Sequence, residues 1–295
     1  QFPPITDSIF SDGFENGSLS VWSSSVTEEG KLSASSTSAI IGSYGMLAYI
    51  DTTAPIYVSD WTPFEDAEYH ARFYFDPNSI EMSNEDEFVI FQAENREGEA
   101  VAIVDFRFSS DRYQIRERVL HDSLQWSYSN WYDITDSSHG IEIAWISHEF
   151  QGVMGLWIDN SRKEVLPWIN NPSARIDAVH LGVVTGVDPG TVGTVYFDGY
   201  VSKRFTYIGL QNGQLPQNQY YPKSYTVFAN GFENGSVSAW HPNLDGDNDL
   251  NVVTQAAIGD VFGLQITIDD NVPVYVSDLH PDNEQHYRMR FYFDP

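Results

Sequence analysis

The chain has 295 residues, with 42 Asp and Glu against 15 Lys and Arg, a formal net charge of −27, and no cysteine. So acidic a surface repels phosphate backbones, which excludes nucleic acid as a partner, and the missing thiols exclude disulfides and thiolate metal sites. No apolar run approaches the ~18 residues of a membrane-spanning helix, while 41% hydrophobic residues suffice for a packed core.

Taken in chain order, the expected elements are all strands. Residues 1–7 (QFPPITD) read as an arm. A tight turn at Asp12-Gly13 follows, inside Phe10–Trp22 (FSDGFENGSLSVW). Strand-like runs then recur at short spacing: Tyr69–Asp76, Glu87–Gln92, Val101–Phe108, Tyr113–Val119, Gly140–Ile146, Gly155–Asp159, Ala178–Val184 and Gly193–Ile208. β-branched and aromatic residues dominate them. Turn signals separate them, among them Asp76-Pro77-Asn78, Ser109-Ser110-Asp111 and Asp188-Pro189-Gly190. Ten or more short strands with no amphipathic helix predict an all-β, antiparallel two-sheet jelly-roll sandwich.

Then the chain starts over. Phe228–Trp240 reads FANGFENGSVSAW, so Phe10 pairs with Phe228 at an offset of 218 residues. Tyr57/Tyr275 and Phe73/Phe291 keep that offset, and Pro295 falls on Pro77. A repeat this long is a whole domain, not a solenoid unit. The expected organisation is an arm (1–7), a complete domain (8–208), a Gln/Asn/Pro-rich linker (209–225) and a partial second copy (226–295). Gln1 aligns with Gln219 and Pro4 with Pro222, so the linker belongs to the repeat. The chain reads as an excerpt of a tandem array.

The opening FSDGFENGSLSVW, Arg72–Ser79 (RFYFDPNS), and the later IEIAW and YFDGYVS segments resemble concanavalin A-like lectin/glucanase jelly rolls. More narrowly they are similar to laminin G-like repeats of large bacterial surface proteins. The resemblance covers residues 8–208 and again 226–295. It implies a jelly roll, frequent structural calcium, and roles in carbohydrate binding, adhesion or surface architecture.

Several constellations carry candidate chemistry. Asp12, Glu15 and Asp198 would sit where first and last strands meet, an oxygen-only set suited to calcium. Glu233 keeps Glu15 in the second copy, but Asn230 replaces Asp12. Asp245, Asp247 and Asp249 have the spacing that opens a calcium loop, yet no glutamate follows at EF-hand distance, so they read as a solvated acidic turn. Trp126, Tyr128 and Trp131 are candidate sugar-stacking residues, or alternatively core. Glu142-Ile143-Ala144-Trp145 is the nearest match to the laminarinase-type catalytic strand, but Ala144 stands where the central Asp belongs. His121, His139, His148 and His180 read as scattered surface or edge residues. Asn16-Gly17-Ser18 and Asn234-Gly235-Ser236 match a glycosylation sequon and equally make good turns.

The leading expectation is a non-enzymatic extracellular module that builds or decorates a cell-surface assembly, filament or adhesin, calcium-clamped, with neighbouring copies of itself as partners. A carbohydrate-binding module attached to a larger secreted protein, with glycans as partners, is the second reading. A glycoside hydrolase is the third.

Overall fold

The computed structural model describes residues 6–211 without interruption and, beyond them, 228, 230–233, 235–240, 243–244, 249–258, 261–278, 291 and 293–294. The chain divides into two compact units, Gln1–Tyr221 and Pro222–Pro295.

The first unit holds strands β1 (Ser8–Asp12), β2 (Ser24–Val26), β3 (Leu32–Ser35), β4 (Gly45–Ile50), β5 (Ile56–Asp60), β6 (Glu68–Asp76), β7 (Glu87–Glu94) and β8 (Ala100–Ser109). It continues with β9 (Arg112–Leu120), β10 (Trp126–Tyr128), β11 (Tyr132–Ile134), β12 (His139–Ile146), β13 (Gly152–Ile158), β14 (Ser161–Ile169), β15 (Ala178–Thr185) and β16 (Gly193–Lys203). They form two eight-stranded antiparallel sheets. The first runs β14-β13-β12-β6-β16-β4-β3, with β1 also on β16. The second runs β10-β9-β8-β7-β15-β5-β2, with β11 also on β9. The two pack as a sandwich of jelly-roll type.

Period-two alternation creates this packing. Along β6, Tyr69, Ala71, Phe73 and Phe75 are fully buried, and the opposing β12 contributes Ile141, Ile143 and Trp145. The sheets meet through rings: Phe73 stacks on Phe91 at 5.8 Å and Phe75 meets Phe106 edge-on at 4.9 Å. Such pairs contribute about 0.5–1.5 kcal/mol beyond the area they bury.

Two expectations need correction. The run expected to continue as strand to Ile208 leaves the sheet after Lys203. Phe205 and Thr206 donate their amide N–H groups to the Asp7 carboxylate, which turns the chain aside. β14 escaped sequence reading because its residues, SRKEVLPWI, are charged and carry a proline; an edge strand tolerates both.

The second unit's described strands are β17 (Asn243–Leu244), β18 (Leu250–Val253), β19 (Gly263–Ile266) and β20 (Tyr275–Val276). They repeat β2, β3, β4 and β5 at the 218-residue offset. Even the pairs correspond: Val26 faces Tyr57, and Leu244 faces Tyr275. Gly45 and Gly263 are glycine for one reason, since a Cβ there would come within 2.1 Å of Ser38 O and 1.9 Å of Ala256 O.

Candidate functional site: the outer face of the second sheet

The second sheet turns one face to the core and one outward. Register sets the outward residues: Tyr57 and Ser59 on β5, His180 on β15, Gln92 and Glu94 on β7, Asp105 and Arg107 on β8, Arg116 and Arg118 on β9, Trp126 and Tyr128 on β10. Three arginines of a chain with only 15 basic residues stand together here.

At one end the candidate aromatics meet these arginines. The Arg118 guanidinium lies 5.0 Å from the Trp126 ring centroid, and Arg116 lies 4.9 Å from Tyr128. Trp131 sits under both Arg107, at 4.2 Å, and Arg116, at 4.3 Å. The sequence-predicted trio is therefore assembled on one face, but guanidinium planes cover part of its rings. Trp126 also packs against the small apolar cluster of Val89, Ile103 and Val184. Asp105 is buried and accepts from Arg116 at 2.8 Å and from Arg118 at 3.1 Å, which fixes both cations.

At the other end lies a group that sequence reasoning missed. His180 is buried in a central strand, which corrects its reading as a surface or edge residue. Its Nδ1 pairs with Ser59 Oγ at 2.8 Å and its Nε2 with Glu94 at 3.0 Å. The Tyr57 ring meets the imidazole edge-on at 4.9 Å. Burial alone would raise the Glu94 carboxyl, but the hydrogen bond and charge of His180, with the Gln92 amide, hold it below the ordinary value. The signal was legible only as alternation: His180 sits between Val179 and Leu181, one step out of phase with the core.

The calcium candidates are placed as follows. Asp12 accepts the Phe14 amide at 3.0 Å and the Trp22 indole N–H at 2.9 Å. Glu15 accepts the amides of Ser43 and Tyr44. Asp198 is fully buried and accepts the amides of Ile40, Ile41 and its own Gly199. Burial, opposed by those donors, raises its carboxyl to about 6, and Glu15's charge pushes in the same direction. The three carboxylates are thus engaged by N–H donors, the wrong lining for a cation. In the second copy Glu233 accepts from Val261 and Phe262, and Asn230 accepts from Phe232. An asparagine keeps that turn's amide hydrogen bond. The donor sets do not fit calcium.

Other candidates resolve locally. Asp245 and Asp247 lie outside the described residues. Asp249, Asp269 and Asp270 come within 4.8 Å of one another. Asn16 accepts the Ser18 amide at 2.9 Å, the turn chemistry expected of it; Asn234 lies outside the described residues. Glu142 points outward from the first sheet but is sealed by the chain after β16. Ile208 and Gly209 donate to its carboxylate at 2.7 and 2.8 Å, and the Arg72 guanidinium binds Gly209 O at 3.1 Å.

No known protein family and no curated protein matches this chain. Its fold is shared with solved structures. One is a mutant of the alginate lyase Aly36B in complex with an alginate tetrasaccharide, with TM-score 0.50 and 12% identity over 69% of this chain and 100% of that one. Another is the cellulose induced protein Cip1, with TM-score 0.50 and 16% identity over 68% of this chain and 99% of that one. The first corrects an expectation. A missing laminarinase-type strand had argued for a non-enzymatic module, yet an enzyme is built on this fold. The absence of particular catalytic motifs leaves other arrangements open, because one fold hosts many chemistries.

Proposed function

We propose that the chain is an extracellular module whose second sheet binds a polysaccharide along its outer face. The observation that carries this reading is the single row running from Tyr57 and His180 to Trp126, Tyr128 and Trp131. It combines ring faces, which suit the apolar faces of sugars, with fixed donors and acceptors that suit hydroxyls. Asp105 holds Arg116 and Arg118 in place before any ligand arrives, which lowers the ordering cost of binding.

The test is retention of the full chain on a panel of polysaccharides, alongside Tyr128→Ala and Trp131→Ala. Weakened retention of both variants is expected. Retention unchanged in both moves the site elsewhere.

A second reading is favoured by the Glu94–His180–Ser59 chain. An imidazole held between a carboxylate and a hydroxyl is equipped for proton transfer, so a glycosidic bond of the bound polymer would also be hydrolysed, water adding to the anomeric carbon and the imidazole passing a proton to the leaving sugar oxygen. Release of new chain ends by the parent, lost in His180→Ala, is the expected sign. Polymer that stays intact under the parent refutes it.

A further inference from the structure

One edge of the sandwich holds a tryptophan in a costly backbone state. Trp168 follows Pro167 in β14, the edge strand of the first sheet, and has φ +63°. A bulky side chain in that left-handed region costs about 1–2 kcal/mol. The pairing explains the geometry. Met154 faces Leu166 and Gly152 faces Ile169, so β14 carries one residue more than β13, a β-bulge. The bulge turns the indole outward, where it is 63% exposed.

The neighbouring turn shows the same pattern. Leu124, between β9 and β10, has φ +61° and is 73% exposed. This turn is laced to the residues after β14. The Asp122 amide donates to Asn170 O at 2.9 Å, and the Ser173 hydroxyl donates to the Asp122 carboxylate at 2.7 Å. β10 begins two residues beyond Leu124 with Trp126, so the aromatic row of the proposed face runs to this edge.

We infer that Trp168 is a stacking subsite for an uncharged pyranose ring, extending the polysaccharide-binding face around the edge of the sandwich; this rests on the binding reading above. The ligand class follows from charge. The chain carries −27, and the three arginines of the face are already matched by three carboxylates, Arg107 by Glu85 at 3.0 Å, Arg116 by Glu87 at 3.8 Å and by Asp105, and Arg118 by Asp105 at 3.1 Å. A polyanion would meet net repulsion, whereas a neutral ring stacks on indole without counter-charge.

The experiment compares the full-length parent with Trp168→Ala, Trp168→Gly and Trp168→Phe. Retention is measured on insoluble cellulose and soluble laminarin, with alginate as the charged control. Retention of the parent by a neutral glucan should exceed that by alginate. Both small variants should lose about tenfold in affinity, and Trp168→Phe should keep part of it. Trp168→Gly should melt above Trp168→Ala, because both lose the ring but only glycine takes φ +63° freely. Undiminished retention in the small variants overturns the subsite while the face reading stands. Preference for alginate overturns the ligand class. Equal melting of the glycine and alanine variants refutes the strain argument. A parent retained by no glycan sinks both readings.

Discussion

Residues 8–77 and 226–295 share a sequence register but not an environment. The turn at their start packs alike in both, except that the Trp22 indole N–H donates to Asp12 at 2.9 Å while the buried Trp240 indole N–H has no acceptor among the described residues. Trp22 stacks against Phe14 at 6.0 Å, and Trp240 against Phe232 at 5.8 Å, each at an interplanar angle of 10°. Glu15 and Glu233 accept the equivalent pair of amides. Further along, the copies part. Phe73 and Phe75 are fully buried, whereas Phe291 and Phe293 are 69% and 77% exposed. Ile50 is 2% exposed and Ile268 is 86%. The difference teaches which interactions are local. A turn closed by its own side chains needs about 35 residues, Asp12 to Tyr44, and forms in both copies. A strand such as β6 buries its rings only between β12 and β16, which come from residues beyond 77.

The largest effect expected from this contrast is Phe75→Ala. It should destabilise the first unit by about 3–5 kcal/mol, the cost of emptying a packed ring site. Phe293→Ala should cost less than about 0.5 kcal/mol, as for an exposed position. Chemical denaturation of both variants checks this, and equal losses would mean that the second copy is packed in solution.

Next comes the turn. Asp12→Ala should cost about 1–2 kcal/mol by leaving the Phe14 amide and the Trp22 indole without acceptors. Asp12→Asn, which copies Asn230, keeps an acceptor for the Phe14 amide but none for the Trp22 indole, and should cost about 1 kcal/mol, less than Asp12→Ala. A loss in Asp12→Asn larger than that in Asp12→Ala would restore a role for the charge itself.

A third test sharpens what only the first copy has. Burial pushes the Glu142 carboxyl up to about 7, against the Ile208 and Gly209 amides and Arg72, which favour its charge. The folded state thus holds the proton more tightly than the unfolded one. The resulting stability is present at acid pH and is lost as pH rises from about 4.5 to about 7. Glu142→Gln should flatten the pH dependence of melting in that window. An unchanged slope would place the titrating group elsewhere.

The smallest expected effect concerns metal. Calcium or a chelator should shift melting of the full chain by less than about 2 °C, under about 1 kcal/mol for a domain of this size. A larger shift abolished by Glu15→Gln would show that the amides yield to a cation.

Much of the architecture is written in the residues themselves. The strand class follows from alternation such as Tyr69, Ala71, Phe73 and Phe75. The repeat follows from FENG at 14–17 and 232–235. The turn chemistry of Asp12, Asn16 and Asn230 follows from short polar side chains that reach amides two residues on, an interaction that needs no other part of the chain. The site is a different matter. That Trp126, Tyr128 and Trp131 lie under Arg107, Arg116 and Arg118 depends on β10 and the chain after it lying beside β9. That His180 rests between Ser59 and Glu94 depends on β15 lying between β5 and β7, strands some 120 and 85 residues away in the sequence. Side-chain periodicity assigns a residue to a face, but strand order alone decides which residues share it, and that order is a property of the closed sandwich.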